Sequence, residues 1–546
     1  MKKNLSLLTL SLLFGLSVSY AQNQRIAVLE CFTSTTCGPC ASANPALDNL
    51  INNNTDKLIA IKYHVNWPSP GDPMNLHNPS EVSSRVSYYG INAVPWSVGD
   101  GTWLGNSSSV SQNMINQWAA VDSPVDMRMT HYLNDTQDTI FVVVMGRATS
   151  AVDYSGLRLR VAVLEKTMQY ATAPGSNGEK VFHNVMKKML PNAAGTSVGA
   201  MQAGDYFAYK FSWALANVMD INELTAVAWL QDNSSKEVIQ GCKSADNIQP
   251  FYAKQASIVG TDHMKKKICS GSITPDIFVD NLGSETINSL DIDVKVNNEY
   301  LTTTTWNGNI EFGRSAKISL GELNFEVAAE NNIDFEIAAI NGAPDDYQAS
   351  VLSSKIEEAV MTVNKSFKLN IRTDDNPQST TWDIVNTTTG EVILSGGPYN
   401  EANHMYTENF DLDGDGCYMF TIYDADGDGL TGSGLYGMKG GSTTLFSGAE
   451  FTDKESNEFS FERYQDVAEI SANTVNIYPN PSHGMVTIET ESNSQLMVYN
   501  ATGQMVYNQA VEGLTILNLA NLEKGAYLFV ITSENGDSNK QIIVLQ

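Results

Sequence analysis

Hydrophobic and polar positions follow two different periods along this chain, and the change falls near residue 124. Before that point, continuous apolar runs predict buried strands, and apolar positions three or four apart predict helices. The predicted elements alternate as strand 26–32, helix 39–53, strand 58–63, helix 81–89 and helix 110–118. Elements in this order predict an α/β layer fold for residues 22–124.

After residue 124, apolar and polar residues alternate with a period of two, which is typical of a strand with one solvent-exposed face. The segment 157–163 alternates in this way, and the same alternation recurs from 290 and from 367. The fold class we expect is therefore α/β followed by a string of β-sandwiches, Ig-like or jelly-roll-like. Their predicted limits are 125–245, 269–362, 363–465 and 474–546, with linkers at 246–268 and 466–473.

The composition fits an exported, β-rich protein. The chain has 546 residues, too many for one hydrophobic core, and only 17 % of them are charged. Asp and Glu number 61 against 33 Lys and Arg, so the net charge is −28. A field of that sign repels phosphate backbones and disfavours nucleic acid as a partner, whereas it suits a protein that collects divalent cations.

The first 21 residues are typical of a signal peptide. Two lysines precede an apolar stretch from Leu5 to Val18, and Ser19-Tyr20-Ala21 forms a small-x-small cleavage site. The apolar stretch is too short to anchor the chain, and no later stretch approaches membrane-spanning length. We therefore expect an exported protein with no transmembrane segment. Export permits disulfides, but six cysteines are too few to build the fold from them.

The strongest chemical signal is Cys37-Gly38-Pro39-Cys40, between a predicted strand and a predicted helix. A thiol at a helix N-terminus meets unpaired backbone N–H groups and the positive end of the helix dipole, which favour the thiolate. Two intervening residues allow the second sulfur to close a small disulfide and to release a mixed-disulfide partner. The spacing predicts a redox-active pair or, alternatively, a disulfide kept for stability.

This region resembles a thioredoxin-fold domain, because Pro45 follows the second cysteine and Val94-Pro95 stands where that family has a cis-proline loop. The resemblance implies that Cys37 attacks a substrate disulfide and that Cys40 resolves the mixed disulfide. It further implies that Pro95 lies in the loop that binds the substrate peptide.

Several positions depart from the thioredoxin pattern. Thr36 and Trp96 stand where that family commonly has Trp and Thr, and Cys31 stands where it buries an aspartate. Cys31 is either a buried neighbour of the pair or a third redox thiol. His64 ends the second strand on the same edge and is a candidate neighbour of the thiols, at the start of a proline-rich insertion over 64–79.

Longer segments resemble two bacterial families. LECFTSTTCGPC, HVNWPSPGDPMNLHNPSEVSSRVSYYGINAVPW, GEKVFHNVMKKMLP and VAWLQDNSSKEVIQ are similar to Omp28-related proteins of Bacteroidetes, over residues 25–242. NIYPNPSHGMVTIE, LMVYNATGQMVY, LEKGAYLFVI and KQIIVLQ resemble a type A sorting domain of the type IX secretion system, over 474–546. The second resemblance implies the type IX machinery as a partner, a processing site within 466–473, and attachment to the bacterial surface or release.

The remaining cysteines and one serine motif carry weaker signals. Cys242 and Cys269 flank the predicted linker and are candidates for a bridge, whereas Cys417 is expected to pack as a small apolar residue. Residues 195–199, Gly-Thr-Ser-Val-Gly, have the letters of a hydrolase nucleophile elbow, but no buried strand leads into them and we expect a flexible loop. No HExxH zinc motif occurs, so hydrolase chemistry is not indicated.

Two Asp-Gly clusters lie in the module at 363–465, which is similar to a β-sandwich of secreted Bacteroidetes proteins. Their carboxylates occupy alternate positions, at Asp411, Asp413 and Asp415 in the first cluster and at Asp424, Asp426 and Asp428 in the second. Such oxygen ligands suit a structural Ca²⁺, and the second cluster is the better site because a glycine-rich loop follows it and Glu450 or Asp453 can complete its shell. The alternative is an ordinary acidic turn.

Two functions stay open at this stage. The first is thiol–disulfide exchange on an extracytoplasmic protein through Cys37 and Cys40. The alternative is a non-catalytic surface protein that uses the N-terminal domain and the β-sandwiches as a scaffold for binding. Fold resemblance does not choose between the two functions, because function depends on the site and not on the fold.

Overall fold

A computed structural model describes residues 23–463, 475–534, 536 and 538–546. The predicted signal peptide and the predicted linker at 466–473, with its processing site, lie outside the described residues. Most of the described chain is β-strand in several sheets, which confirms the prediction of a mainly β protein. Among the described residues, no helix is both long and apolar enough to cross a membrane.

The N-terminal unit has helices on both faces of a short sheet. Its strands are β1 (Asn23–Gln24), β2 (Ala27–Thr33), β3 (Leu58–His64), β4 (Trp96–Gly99), β5 (Trp103–Asn106) and β6 (Asp122–Ser123). Its helices are α1 (Gly38–Asn52), α2 (Pro73–His77), α3 (Pro79–Tyr89) and α4 (Gln112–Ala119). Strands β2 and β3 are parallel, and β4 is antiparallel to β2. Apolar residues of α1 and α4 pack on one face of β2, and those of α3 pack on the other.

The next unit continues the same sheet. Its strands are β7 (Val125–Leu133), β8 (Thr139–Ala148), β9 (Leu157–Gln169), β10 (Val181–Leu190), β11 (Thr196–Ser197), β12 (Tyr206–Ala214), β13 (Leu224–Asp232) and β14 (Val238–Lys243). Strand β10 lies parallel to β3, so the sheet runs β14-β13-β9-β10-β3-β2-β4-β5. The predicted boundary at 124/125 therefore lies between units that share one sheet. A second sheet, β12-β8-β7, closes an apolar core against β9 and β13.

The third unit begins inside the segment predicted as a linker. Its strands are β15 (Ala256–Asp262), β16 (Lys267–Ile268), β17 (Ser272–Ile273), β18 (Asp276–Asn281), β19 (Ile287–Val296), β20 (Glu299–Ile310), β21 (Ser315–Ser319), β22 (Leu323–Asn324), β23 (Glu330–Ile340) and β24 (Val351–Glu358). The linker prediction for 246–268 is corrected here: Ala256, Ile258 and Ile268 are buried in the core of this sandwich, so β15 and β16 belong to its sheets.

Two further β units complete the described chain. The fourth has β25 (Met361–Thr362), β26 (Ser366–Arg372), β27 (Thr380–Asn386), β28 (Val392–Gly396), β29 (Met405–Asp411), β30 (Gly416–Asp424), β31 (Leu435–Gly440), β32 (Thr443–Gly448) and β33 (Lys454–Phe461). Its two sheets, β25-β33-β30-β27-β28 and β29-β26-β31-β32, enclose an aromatic-rich core. The last has β34 (Asn476–Tyr478), β35 (Met485–Tyr499), β36 (Met505–Asn518), β37 (Gly525–Ser533) and β38 (Ser538–Leu545).

Candidate functional site

The Cys37–Cys40 pair lies where strand β2 gives way to helix α1. Its sulfurs form a disulfide, with the two Cα atoms 5.2 Å apart. Cys37 is the N-cap of α1, and its sulfur accepts a hydrogen bond of 3.1 Å from the backbone N–H of Cys40. Pro39 occupies the first helical turn, where no N–H donor is required. The pair therefore has the helix-start position that the sequence predicts.

The segment at Val94-Pro95 faces this disulfide. The Val94–Pro95 peptide bond is cis, and the carbonyl oxygen of Val94 lies 3.7 Å from the sulfur of Cys37. The carbonyl oxygen of Pro95 accepts a hydrogen bond from the backbone N–H of Ser107. The structure thus brings Pro95 beside the two cysteines, while its role toward a substrate stays a prediction.

The disulfide is enclosed by protein. Cys37 is 1 % exposed and Cys40 is fully buried, although Gly38 and Pro39 between them are exposed. The side chain of Asn177 donates hydrogen bonds to the carbonyl oxygens of Ser34 (3.1 Å) and Cys37 (3.3 Å). Asn177 belongs to the β9–β10 connection, so the second unit covers the turn that holds the sulfurs.

Two further contacts pack neighbouring segments against the turn that leads to Cys37. Gly175 packs so closely that a Cβ there would lie 2.3 Å from the carbonyl oxygen of Thr35. From the other side, the Thr36 hydroxyl donates a 2.8 Å hydrogen bond to the carbonyl oxygen of Ser69, in the proline-rich insertion. The insertion and the second unit therefore both pack against the turn that leads to the disulfide.

His64 is paired with an aspartate of that insertion. Its Nδ1 lies 2.9 Å from Oδ2 of Asp72, and both side chains are buried. Asp72 also accepts the backbone N–H of Thr35 at 2.7 Å. Burial alone would raise the pKa of Asp72, but the His64 charge and the hydrogen bonds outweigh it and hold that pKa below 3.8. The pair ties the insertion to the turn before Cys37.

The two free cysteines are buried thiols. Burial raises the pKa of Cys31 to about 11 and that of Cys242 to about 12. Since the thiolate is the nucleophile, neither group is activated for exchange at neutral pH. The interpretation of Cys31 as a buried neighbour of the pair is favoured over that of a third redox thiol.

The second disulfide corrects two predictions. Cys269 bonds to Cys417, so Cys242 is not its partner and Cys417 is not a free apolar residue. Cys242 points into the core between the two sheets of the second unit, whereas Cys269 follows β16 and lies against the first residues of β30. The buried carboxylate of Glu458 accepts the backbone N–H groups of Cys269 and Ser270 beside the bridge. The disulfide therefore joins the third unit to the fourth.

The serine motif at 195–199 differs from the expected flexible loop. Thr196 and Ser197 form the short strand β11, which pairs with Arg158 and Leu159 of β9. Ser197 is exposed there. The pairing of β10 with β9 ends at Val161, so β11 can take the next positions on that side of β9.

The second Asp-Gly cluster lies in the turn after β30. Asp424 is 3 % exposed, while Asp426 and Asp428 are exposed. Partial desolvation and the negative charges of Asp424, Asp374 and Asp426 raise the pKa of Asp428. The oxygens of Asp424, Asp426 and Asp428 do not all lie within 4.8 Å of one another, and Ca²⁺ binding there stays a prediction.

A charged cluster that sequence reasoning missed joins the third and fourth units. Nε2 of His263 lies 2.8 Å from Oδ1 of Asp453, and Nδ1 lies 3.0 Å from Oδ2 of Asp276. Asp262 lies beside them, and Lys317 bonds to both Asp262 and Asp276. Asp453, one of the two residues expected to complete the calcium shell, directs its side chain to this cluster. No local sequence signal marks it, because Asp453 lies 190 residues beyond His263 in the chain.

Comparison with known proteins identifies the last unit. Residues 476–545 match the family described as a secretion system C-terminal sorting domain. The last unit is a type IX secretion sorting domain. The chain is accordingly secreted and located at the cell surface or the outer membrane, and its sorting domain implies contact with the secretion machinery. No curated protein sequence matches the chain.

Solved structures give looser similarities. HBP35 of Porphyromonas gingivalis is 16 % identical, with a TM-score of 0.35 over 62 % of this chain and 99 % of that one. AGR_C_4864 from Agrobacterium tumefaciens is 17 % identical, with a TM-score of 0.29 over 42 % of this chain and 97 % of that one. Dimeric latent PorU from Porphyromonas gingivalis is 13 % identical, with a TM-score of 0.12 over 57 % and 36 %.

Proposed function

We propose that this type IX substrate is a non-catalytic surface protein, whose N-terminal unit and β-sandwiches form a scaffold for binding and spacing at the cell surface. The observation that carries the proposal is the enclosure of the Cys37–Cys40 disulfide. An exchange reaction needs an in-line approach of an incoming sulfur to one of the two sulfurs. The residues Cys37 and Cys40 are 1 % and 0 % exposed, so the folded protein leaves no open approach to either sulfur.

The sheet supports the same proposal. Strand β10, which follows the connection that carries Asn177, pairs with β3 of the N-terminal unit. This pairing holds Asn177 close to the turn that it contacts. Moving the β9–β10 connection away from the disulfide would break the hydrogen bonds of Asn177 to Ser34 and Cys37. It would also break the close packing of Gly175. In this function the disulfide fixes the turn between β2 and α1.

Thiol–disulfide exchange is the second candidate, and one specific observation favours it. The sulfur of Cys37 caps a helix N-terminus and faces the carbonyl oxygen of Val94, next to Pro95. In this function the reduced Cys37 thiolate attacks a substrate disulfide and releases one substrate thiolate. Cys40 then attacks the sulfur of Cys37 and releases the second, so two electrons pass to the substrate and the Cys37–Cys40 disulfide forms.

Thiol counting on the folded secreted protein separates the two functions. The protein is equilibrated with a series of glutathione redox buffers, alkylated, and analysed by mass spectrometry with and without denaturant. A structural disulfide stays oxidised until the protein unfolds. A reversible two-electron transition in the native protein, absent from Cys37→Ala and kept in Cys31→Ala, would reject the scaffold proposal in favour of exchange.

A further inference from the structure

Two loops of the fourth unit meet where the chain crosses between its sheets. Residues 373–379 lead from β26 in the four-stranded sheet to β27 in the five-stranded sheet. Residues 425–434 lead from β30 back to β31, in the opposite direction. The loops are in direct contact, because Asp374 accepts hydrogen bonds from the backbone N–H (3.1 Å) and hydroxyl (3.0 Å) of Thr431.

Four carboxylates gather at this crossing without a balancing cation. Asp374 and Asp424 are both 3 % exposed, and Asp426 and Asp428 lie on the exposed side. Among the described residues, no Lys, Arg or His forms an ion pair with any of the four. Like charges at close range disfavour one another, more so where protein excludes water. The four negative charges at this turn therefore lack a counter-charge from the described residues.

The carboxylate of Asp424 indicates the position at which a cation would bind. Its Oδ2 accepts the backbone N–H groups of Asp428 (3.0 Å) and Gly429 (3.2 Å), which orients the group toward the loop. Its Oδ1 is buried and has no hydrogen-bond partner in the part of the chain that the structure describes. A buried, unpartnered carboxylate oxygen costs more free energy than an ordinary hydrogen bond returns. A cation in contact with Oδ1 removes that cost.

We propose that the two crossing loops bind one Ca²⁺, with Oδ1 of Asp424 as the central ligand. The exposed carboxylates of Asp426 and Asp428 close around the ion when it binds, from positions that are further apart without it, and backbone carbonyls and water complete the shell. Buried Asp374 supplies the fourth negative charge. All side chains offered are oxygen donors, which excludes the nitrogen and sulfur sets that suit zinc or copper. Ca²⁺ accepts six to eight oxygens in flexible geometry, so it suits carboxylates that are spread over two loops.

The first Asp-Gly cluster provides an internal comparison. Asp411 accepts a hydrogen bond from Ser366 and lies 3.7 Å from Lys365, and Asp415 is paired with Arg463. Asp413 is exposed. Basic side chains thus already balance this cluster, and none of its aspartate oxygens is buried without a partner in the described structure. The two clusters share a sequence pattern but differ in charge balance, so only the second is assigned an ion.

Calorimetric titration of the EDTA-treated secreted protein with CaCl₂ tests the assignment. We expect one ion per chain at this site, with the weak affinity of extracellular modules, about 10⁻⁴–10⁻³ M. Asp424→Asn should weaken binding at least tenfold, and exposed Asp428→Asn should do so even if the first variant folds poorly. Asp413→Asn should bind like the wild type.

Terbium luminescence on the same proteins gives an independent readout. Tb³⁺ emission that competes with Ca²⁺ and is lost in Asp428→Asn supports the site. No calcium heat in the wild type, or equal binding by the wild type and Asp428→Asn, would overturn it. Equal loss of binding in Asp413→Asn and Asp428→Asn would also overturn it, because it would indicate diffuse attraction to an acidic surface.

Discussion

The side-chain amide of Asn177 donates a 3.3 Å hydrogen bond to the carbonyl oxygen of Cys37, from a position 140 residues further along the chain. The same amide binds the carbonyl oxygen of Ser34, so a single side chain spans the turn that leads into α1. A residue of the second unit thereby contacts both ends of the turn that leads to the Cys37–Cys40 disulfide.

Removing this amide should open the turn. Asn177→Ala removes the two side-chain hydrogen bonds to the carbonyl oxygens of Ser34 and Cys37, at a cost of about 1–2 kcal/mol in the closed state. We expect roughly tenfold faster reduction of the disulfide by dithiothreitol in the folded protein, measured by quenched alkylation, since about 1.4 kcal/mol corresponds to tenfold. Asn222→Ala, an exposed amide that bonds to Asp220, serves as the control. An unchanged rate in Asn177→Ala would show that the cover does not limit access.

The Cys269–Cys417 bridge should contribute measurably to the stability of the third and fourth units. Its sequence separation is 148 residues, and closing a long loop restricts the unfolded chain, so we expect a loss of about 2–5 kcal/mol in the double variant Cys269→Ser/Cys417→Ser. Guanidinium unfolding followed by tryptophan fluorescence measures it. Dithiothreitol should lower the same transition in the wild type and leave the variant unaffected. Coincident unfolding curves would contradict the prediction.

The buried ion pair of Arg85 and Glu30 should be sensitive to the loss of one partner. Arg85 binds Glu30 at 2.7 Å and 3.0 Å, and the hydroxyls of Tyr63 and Tyr89 donate to the same carboxylate. Arg85→Met leaves Glu30 buried without its counter-charge and should destabilise the N-terminal unit by about 3–5 kcal/mol.

The exposed pair of Lys355 and Glu330 gives the matched comparison for Arg85→Met. Lys355→Met should cost less than about 1 kcal/mol, because solvent screens that pair. Thermal unfolding of both variants, followed by circular dichroism, measures the difference. Equal melting temperatures for the two variants would refute the proposed contribution of Arg85.

Acid should weaken the attachment of the proline-rich insertion. The folded-state pKa of Asp72 lies below 3.8, so its ionised form stabilises the fold above the unfolded pKa, and that contribution is lost as pH falls through the folded pKa. Asp72→Asn should therefore be less stable than the wild type at pH 6, and the gap should narrow below about pH 4. Urea unfolding at pH 6, 4 and 3 tests this, and a gap that is constant with pH would contradict it.

Local patterns predicted the N-terminal elements well. The predicted strand 26–32 corresponds to Ala27–Thr33, the helix 39–53 to Gly38–Asn52 and the helix 81–89 to Pro79–Tyr89. These elements are specified by the spacing of their own apolar residues, which a sequence displays directly. The position of Cys37 at a helix start follows from the same spacing.

Relationships between distant segments were not predictable in this way. The pairing of β10 with β3, the bond between Cys269 and Cys417, and the contact of His263 with Asp453 each depend on how complete units pack. The sequence around Asp374 also gives no sign of its role, because two separate loops between the sheets of the fourth unit bring it near the second Asp-Gly cluster. The enclosure of the disulfide belongs to this group, and it is the observation that favours a scaffold over an exchange enzyme.

The bridge between Cys269 and Cys417 also determines how the protein responds to pulling. Tension applied between the N-terminal unit and the C-terminal end of the chain passes through the sulfur–sulfur bond and bypasses the 148-residue span between the two cysteines. That span includes most of the third unit, which then carries no load. Without the bridge, the same span extends to roughly 500 Å when fully stretched. The disulfide thus limits how far the oxidised protein extends when it is pulled at its two ends.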